Sequence, residues 1–276
     1  MKLSCNTFMY SSFPAWIPAY PIDYVIERLS AIGYDGIELG CASPVAYPPY
    51  IDEAERARIC DMLKKHNIAI SSVLPCPGGG MGNNVSSPIK RERETAIQSY
   101  KECIKLGADL GAKVCLYVAG WQIWGVEAKQ ALEWSRQCLI EIAKYAKNYG
   151  VTIAVEPTSM DSNVIETADD AIDLMKSTGL DNVKVMFDSI HVLYRKEILT
   201  DYVERMGKEL VHVHVSDLDR MPPGSQTDFR PMIEALKKVG FDGYLTMEIG
   251  VVGVEGRGVD ANGFAKKAYD YMRSIV

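Results

Sequence analysis

Short apolar runs with strand character alternate with amphipathic stretches along the whole chain, and this pairing occurs eight times. Such alternation is typical of a parallel sheet built from βα units. Helices are predicted near residues 22–32, 52–66, 91–111, 128–149, 167–178, 197–209, 230–239 and 260–274. The strand candidates are KLSCNTF, GIELG, IAISSVLP, KVCLYVAG, TIAVEP, VKVMFD, LVHVHVSD and YLTMEIG. Eight units predict an α/β fold whose strands close into a (β/α)8 TIM barrel.

Two similar segments, AIGYDGIEL and KVGFDGYLTMEI, support this organisation. Each combines a helix end, a glycine, an aromatic residue and an Asp-Gly turn before a strand, as expected where a glycine cap leads into the next βα unit. An open doubly wound sheet is the alternative, but no GxGxxG follows the first strand. With 276 residues and 47% hydrophobic composition, the chain suffices for a single domain over residues 1–276.

Composition excludes several classes of partner. The net charge is −6 and the 30 Lys and Arg residues are scattered, so we expect no nucleic-acid partner. No segment approaches the ~20 apolar residues of a membrane span, and the N-terminus lacks a long apolar signal core, so we expect no membrane partner and a cytoplasmic location. Seven cysteines without CxxC spacing indicate reduced thiols rather than a disulfide framework.

Four polar residues follow or end four successive strand candidates: Glu156, Asp188, His214 and Glu248. Active sites of such barrels lie at the carboxyl ends of the strands, so these residues are predicted to carry chemistry. Three carboxylates and one imidazole suit a divalent metal, with Mn²⁺ as the leading ion and Mg²⁺, Co²⁺ or Zn²⁺ as alternatives. The competing interpretation is that the acids are capping or loop residues far from one another.

These residues also lie in recognisable motifs: EPTSMDSN, DSIHV, HVHVSDLDR and TMEI, with ligand spacings of 32, 26 and 34 residues. The chain resembles the xylose-isomerase-like barrel superfamily, and within it the D-tagatose/D-psicose 3-epimerase type, from GYDGIEL onward. EPTSMDSNVI is also similar to the matching stretch of fructoselysine 3-epimerase-like proteins. The resemblance implies that the four residues are metal ligands and that Glu156 and Glu248 form the acid/base pair.

The segments around the substrate depart from the family pattern. The family has a substrate-contacting glutamate six residues after the EP glutamate, whereas the nearest carboxylate here is Asp161, five residues on. The PGxGxxDF segment is represented by PGSQTDF, one residue shorter and without the second glycine. Both changes concern substrate contacts rather than the metal, so the substrate is less well defined than the metal site.

Further polar residues are assigned by position. His191 is expected on a loop just outside its strand, where it binds a substrate oxygen or is an ordinary surface histidine. Arg220 is expected to bind substrate or orient a carboxylate, or else to be a solvated loop charge. His212 is expected one layer deeper than His214, and Glu38 is either a site-lining acid or a buried, hydrogen-bonded one.

The leading functional hypothesis is a metal-dependent isomerase that epimerises a ketose or modified keto-sugar at carbon 3. Removal of a proton beside a carbonyl through a metal-stabilised ene-diolate, with two glutamates on opposite faces, suffices for this reaction. Two lyases of the same barrel family are alternatives: a keto-inositol dehydratase and a 3-oxo-C-glycoside deglycosidase. An apurinic-endonuclease-like hydrolase would need extra histidines on early strands, and a non-catalytic subunit would show loss of a ligand. Association into a homo-oligomer is left open.

Overall fold

Eight parallel strands close into a barrel in which each strand pairs with its neighbours in sequence and β8 pairs with β1. This computed structural model describes residues 1–10, 19–43, 45–75, 82–160, 162–250 and 260–276. The closed ring of eight parallel strands confirms the predicted TIM barrel. The strands are β1 (Lys2–Asn6), β2 (Gly36–Cys41), β3 (Ala69–Pro75), β4 (Val114–Val118), β5 (Thr152–Glu156), β6 (Val183–Asp188), β7 (Leu210–Val215) and β8 (Tyr244–Met247).

Helices connect the strands on the outside of the barrel, close to the predicted positions. They are α1 (Ile22–Ile32), α2 (Glu53–His66), α3 (Lys90–Asp109), α4 (Ala128–Lys147), α5 (Ala168–Thr178), α6 (Ser189–Tyr194), α7 (Leu199–Met206), α8 (Arg230–Val239) and α9 (Ala261–Ile275). The short α6 was not predicted. Among the residues that the structure describes, no helix combines the length and apolar character needed to cross a membrane.

The two similar segments form the same local structure. Gly33 ends α1 and Gly240 ends α8, each in the left-handed region with φ of 115° and 76°. Glycine adopts this conformation without the steric penalty of a Cβ atom, so each helix stops at a defined residue. The aromatic residues that follow, Tyr34 and Phe241, are buried before the chain enters the next strand.

The interior of the barrel has an apolar part and a polar part. Leu74, Leu116, Ala154 and Met186 form a small apolar cluster on the neighbouring strands β3 to β6. The buried polar side chains of β1, β2, β3 and β7 are Ser4, Asn6, Glu38, Ser71, Ser72, His212 and His214. Buried polar groups need hydrogen-bond partners, so this polar part is held by contacts between its own members.

The contribution of the apolar cluster to stability can be measured. Leu116→Ala removes a fully buried side chain and should lower the free energy of unfolding by about 2–5 kcal/mol, whereas Leu132→Ala, at a position 37% exposed on α4, should change it by about 0.5 kcal/mol or less. Urea denaturation followed by circular dichroism compares the two variants. Equal midpoint shifts would contradict the assigned packing.

Candidate metal centre

Strand register brings the four predicted ligands to one end of the barrel. Asp188 pairs with His214 across β6 and β7, and His214 pairs with Thr246 across β7 and β8. Glu248 follows β8 by one residue, and Glu156 is the last residue of β5. One ligand atom from each of Glu156, Asp188, His214 and Glu248 lies within 4.8 Å of the others. The structure thus assembles residues that are up to 92 positions apart in sequence.

The imidazole of His214 faces the three carboxylates through its Nδ1 atom. This atom lies 2.9 Å from Glu248 Oε2, 3.8 Å from Glu156 Oε1 and 4.0 Å from Asp188 Oδ2. His214 and Asp188 are fully buried, and the Glu248 side chain is 12% exposed. The cluster is therefore shielded from bulk water and reaches solvent mainly at Glu248.

Arg220 lies inside this cluster. Its Nη1 atom contacts Asp188 Oδ2 and lies 2.7 Å from Glu248 Oε2, so the interpretation as a solvated loop charge is wrong. Asp219 and Arg220 both have left-handed backbone conformations, with φ of 60° and 56°. Such residues cost about 1–3 kcal/mol each and persist only where the surroundings fix them. The ion pairs of Arg220 provide part of that fixation.

His191 lies on α6, not on a loop, and is 2% exposed, so it is not a surface histidine. The helix starts directly after β6 because Asp188 caps it: Asp188 Oδ1 accepts a hydrogen bond from the backbone N–H of Ile190 at 3.0 Å. His191 Nδ1 accepts the backbone N–H of Met160 at 3.3 Å. The imidazole therefore joins α6 to the loop after β5. The predicted substrate residue Asp161 lies outside the described residues.

Two carboxyl groups of the cluster have pKa values shifted in opposite directions. Burial raises the pKa of Glu156 well above its ordinary value, and Glu248 and Asp188 raise it further against the opposing effect of His214. Burial also disfavours ionisation of Asp188, but Arg220, His191 and His214 bring its pKa below the ordinary value. Three carboxylates and one imidazole around a common centre are oxygen and nitrogen donors that suit a divalent cation.

Glu38 faces the Nε2 atom of His214 and is completely buried. Of the two interpretations of this residue, it is therefore the buried, hydrogen-bonded acid. Its carboxylate contacts the Nε2 atoms of both His212 and His214 at 3.0 and 2.8 Å. Burial opposes its ionisation, yet the two histidines hold the pKa of Glu38 well below its ordinary value. Asn6 and Ser72 also bind this carboxylate and were missed, although each is a polar residue within an apolar strand.

Residues 26–275 match the sequence profile of a family described as xylose isomerase-like TIM barrel. The chain belongs to the xylose isomerase-like TIM barrel family. The four clustered residues of this chain lie at the carboxyl ends of β5 to β8. The match covers the strands from β2 to β8 and therefore includes all four of these residues.

Two relatives of the family are similar along most of the chain. D-psicose 3-epimerase from Ruminiclostridium cellulolyticum is 27% identical over 234 residues, which are 82% of this chain and 77% of that protein. Fructoselysine 3-epimerase from Shigella flexneri is 24% identical over 238 residues, 83% of this chain and 85% of that protein. A solved structure of D-psicose 3-epimerase with D-tagatose from Clostridium cellulolyticum H10 superposes with a TM-score of 0.84 at 22% identity, covering 100% of this chain and 99% of that one. This superposition supports the fold.

The clustered carboxylates should be needed for binding a divalent ion. Asp188→Asn retains the side-chain oxygen that caps α6 but removes the charge, and should weaken Mn²⁺ binding at least about 10-fold, since even partners that only orient a ligand are worth 10–100-fold. Asp228→Asn, at an exposed carboxylate paired with Arg230, is the control and should bind Mn²⁺ like the parent. Calorimetric titration of metal-free protein measures both, and equal affinities would refute the site.

Proposed function

We propose that this protein is a metal-dependent isomerase that epimerises a ketose or a modified keto-sugar at carbon 3. The observation that carries the proposal is that Glu156, from the end of β5, and Glu248, directly after β8, both reach His214 Nδ1, at 3.8 and 2.9 Å. Epimerisation beside a carbonyl requires removal of a proton from one face and delivery of a proton to the other. Two carboxylates flanking one centre meet that requirement.

Glu156, Asp188, His214 and Glu248 are the residues that would hold the divalent ion. When bound, such an ion stabilises negative charge that develops on the substrate oxygens. The donors are three carboxylates and one imidazole without a thiolate, which favours Mn²⁺ over a soft-ligand metal and also allows Mg²⁺, Co²⁺ or Zn²⁺.

The residues of the chain itself would perform the proton transfers. One of Glu156 and Glu248 removes the proton from the carbon beside the carbonyl, and the other donates a proton to the opposite face. Arg220 Nη1 contacts both Glu248 and Asp188, which fixes the orientation of these carboxylates before substrate binds. Burial of the cluster excludes water and strengthens each of these electrostatic interactions.

Substrate contacts are assigned to His191, Arg220 and Asp161. His191 and Arg220 border the metal cluster from α6 and from the segment after β7, where a sugar oxygen bound at the cluster would be within reach. The names of both sequence relatives specify 3-epimerases, one for D-psicose and one for fructoselysine. These names support a ketose or a ketose derivative as substrate and favour an epimerase over the two lyases.

Other functional classes have less support. An apurinic-endonuclease-like hydrolase would need histidines on early strands, whereas the four histidines of this chain lie on α2, α6 and β7. A non-catalytic subunit would have lost ligands, and all four are present. A single domain, a cytoplasmic location and the absence of a nucleic-acid partner remain our predictions from the sequence, and association into a homo-oligomer remains open.

The proposed reaction is tested directly by product analysis. Protein reconstituted with Mn²⁺ is incubated with a panel of free ketoses, fructoselysine, keto-inositols and 3-oxo-glycosides, and the products are identified by NMR. We expect conversion of at least one ketose or ketose derivative to its carbon-3 epimer. A product that has lost water or an aglycone, with no epimer formed, would replace the epimerase by one of the lyases.

Both glutamates should be essential for turnover. Glu156→Gln and Glu248→Gln each remove a proton-transfer group and should lower kcat by about 100-fold or more, since general acid–base catalysis contributes 10²–10⁴-fold. Glu94→Gln, at an exposed position on α3, is the matched control. Because both residues also contact the metal position, bound Mn²⁺ is quantified for each variant beside kcat. A variant with full metal content and parental kcat would remove that glutamate from the mechanism.

A further inference from the structure

A buried hydrogen-bond network surrounds the carboxylate of Glu38, below the metal cluster. Oε1 accepts from Asn6 Nδ2 at 2.6 Å and lies 2.8 Å from His214 Nε2. Oε2 accepts from Ser72 Oγ at 2.6 Å and from His214 Nε2 at 3.0 Å, and it lies 3.0 Å from His212 Nε2. We refer to these five residues, Asn6, Glu38, Ser72, His212 and His214, as the Glu38 network; each is 1% exposed or less.

Backbone register places the members of the network side by side. Asn6 pairs with Glu38 across β1 and β2. Glu38 pairs with Ser72 across β2 and β3, where the register shifts by one residue after Ile37. This bulge brings Ser72, rather than Ser71, opposite Glu38, and bulges commonly redirect side chains in this way next to active sites.

The orientation of Asn6 shows which atoms of the network carry hydrogens. Asn6 Oδ1 accepts the backbone N–H of Phe8 at 2.7 Å, so its Nδ2 group must be the one that faces Glu38. The Ser72 hydroxyl donates to the other carboxylate oxygen. An ionised carboxylate only accepts hydrogen bonds, so the Nε2 atoms of His212 and His214 that face it carry protons.

We propose that Glu38 is a positioning residue for the metal site: by accepting the Nε2 proton of His214, it makes Nδ1, which lies 2.9 Å from Glu248 Oε2, the ring nitrogen available to an ion held with Glu156, Asp188 and Glu248. The proposal rests on the proposed function, because it assigns how a ligand of that site is oriented. A histidine that ligates a metal through one nitrogen commonly donates its other N–H to a carboxylate, which fixes the tautomer and increases the basicity of the ligand.

Glu38, His212 and His214 could also be regarded as a second cation site, since their ligand atoms lie close together. The donors around Glu38 argue against this. A cation bound by this carboxylate would face the Nδ2 group of Asn6, which is a donor fixed in place by the Phe8 contact. The network is therefore complete as a set of hydrogen bonds, and we expect one ion per chain rather than two.

Glu38→Gln tests the role of the charge with nearly the same side-chain shape. We expect it to weaken Mn²⁺ binding by about 10–100-fold, the usual effect of losing such a partner. Titration calorimetry measures affinity and stoichiometry, and circular dichroism establishes that the variant is folded. Parental affinity in a folded Glu38→Gln protein would refute the role of Glu38. A second equivalent of Mn²⁺ in the parent that disappears in this variant would refute it in favour of a second metal site.

A neighbouring pair of serines provides a matched control if Glu38→Gln does not fold. Ser72→Ala removes a hydrogen bond to Glu38, whereas Ser71→Ala removes a buried hydroxyl that bonds Ser4 and Ser72 but not Glu38. Both changes remove the same atom from adjacent buried positions. We expect weaker Mn²⁺ binding only for Ser72→Ala. Equal affinities of the two variants would reduce the network to a purely structural role and overturn the proposal.

The tautomer of His214 gives a readout that is independent of turnover. Long-range ¹H–¹⁵N NMR spectra of ¹⁵N-histidine-labelled protein resolve the four histidines, and loss of one signal set in His214→Gln assigns that residue. In protein loaded with diamagnetic Mg²⁺ or Zn²⁺, the proton should be on Nε2; a proton on Nδ1 would contradict the proposal. A parent that binds none of Mn²⁺, Mg²⁺ and Zn²⁺ would instead refute the proposed function.

Discussion

Three carboxylates gathered at one imidazole nitrogen, with Glu156 and Asp188 buried, are the constraint on which the rest of this structure depends. Moving charged groups out of water is costly unless opposite charges and hydrogen bonds compensate, and removal of one partner leaves the others uncompensated. Arg220 supplies one positive charge at Asp188 and Glu248, and it does so from a strained left-handed backbone. A divalent ion at the same position would supply the remaining charge. The stability of this region and its metal affinity should consequently be linked.

The two parts of the barrel interior serve this arrangement in different ways. The apolar cluster on β3 to β6 fills the barrel without competing for the ligands, because it presents only carbon and sulfur atoms. The Glu38 network spans β1, β2, β3 and β7 and holds His214 from below. The cap that Asp188 provides for α6 fixes one of its oxygens from the side. His214 and Asp188 are thus each restrained by a contact outside the cluster, which reduces the reorganisation needed during a reaction.

Sequence alone predicted the barrel because eight strand-like runs recur with helices between them, and it predicted the grouping of Glu156, Asp188, His214 and Glu248 because all end or follow strands. It failed for α6: six residues are fewer than two helical turns, so no period is visible, and His191 was placed on a loop. Asn6 and Ser72 were missed because one polar residue in an apolar strand does not reveal its partner. The bulge that aligns Ser72 with Glu38 depends on strand pairing, which local sequence does not encode.

In the proposed reaction, two carboxylates exchange protons with the carbon beside the substrate carbonyl. Conversion of a ketose substrate in D₂O, followed by NMR of the epimer, measures this exchange at the reacting carbon. We expect the epimerised carbon of the product to carry deuterium from solvent, because the proton delivered by the second glutamate comes from a group that equilibrates with water. An epimer that keeps its original hydrogen at that carbon would show internal hydrogen transfer and would contradict the assignment of Glu156 and Glu248.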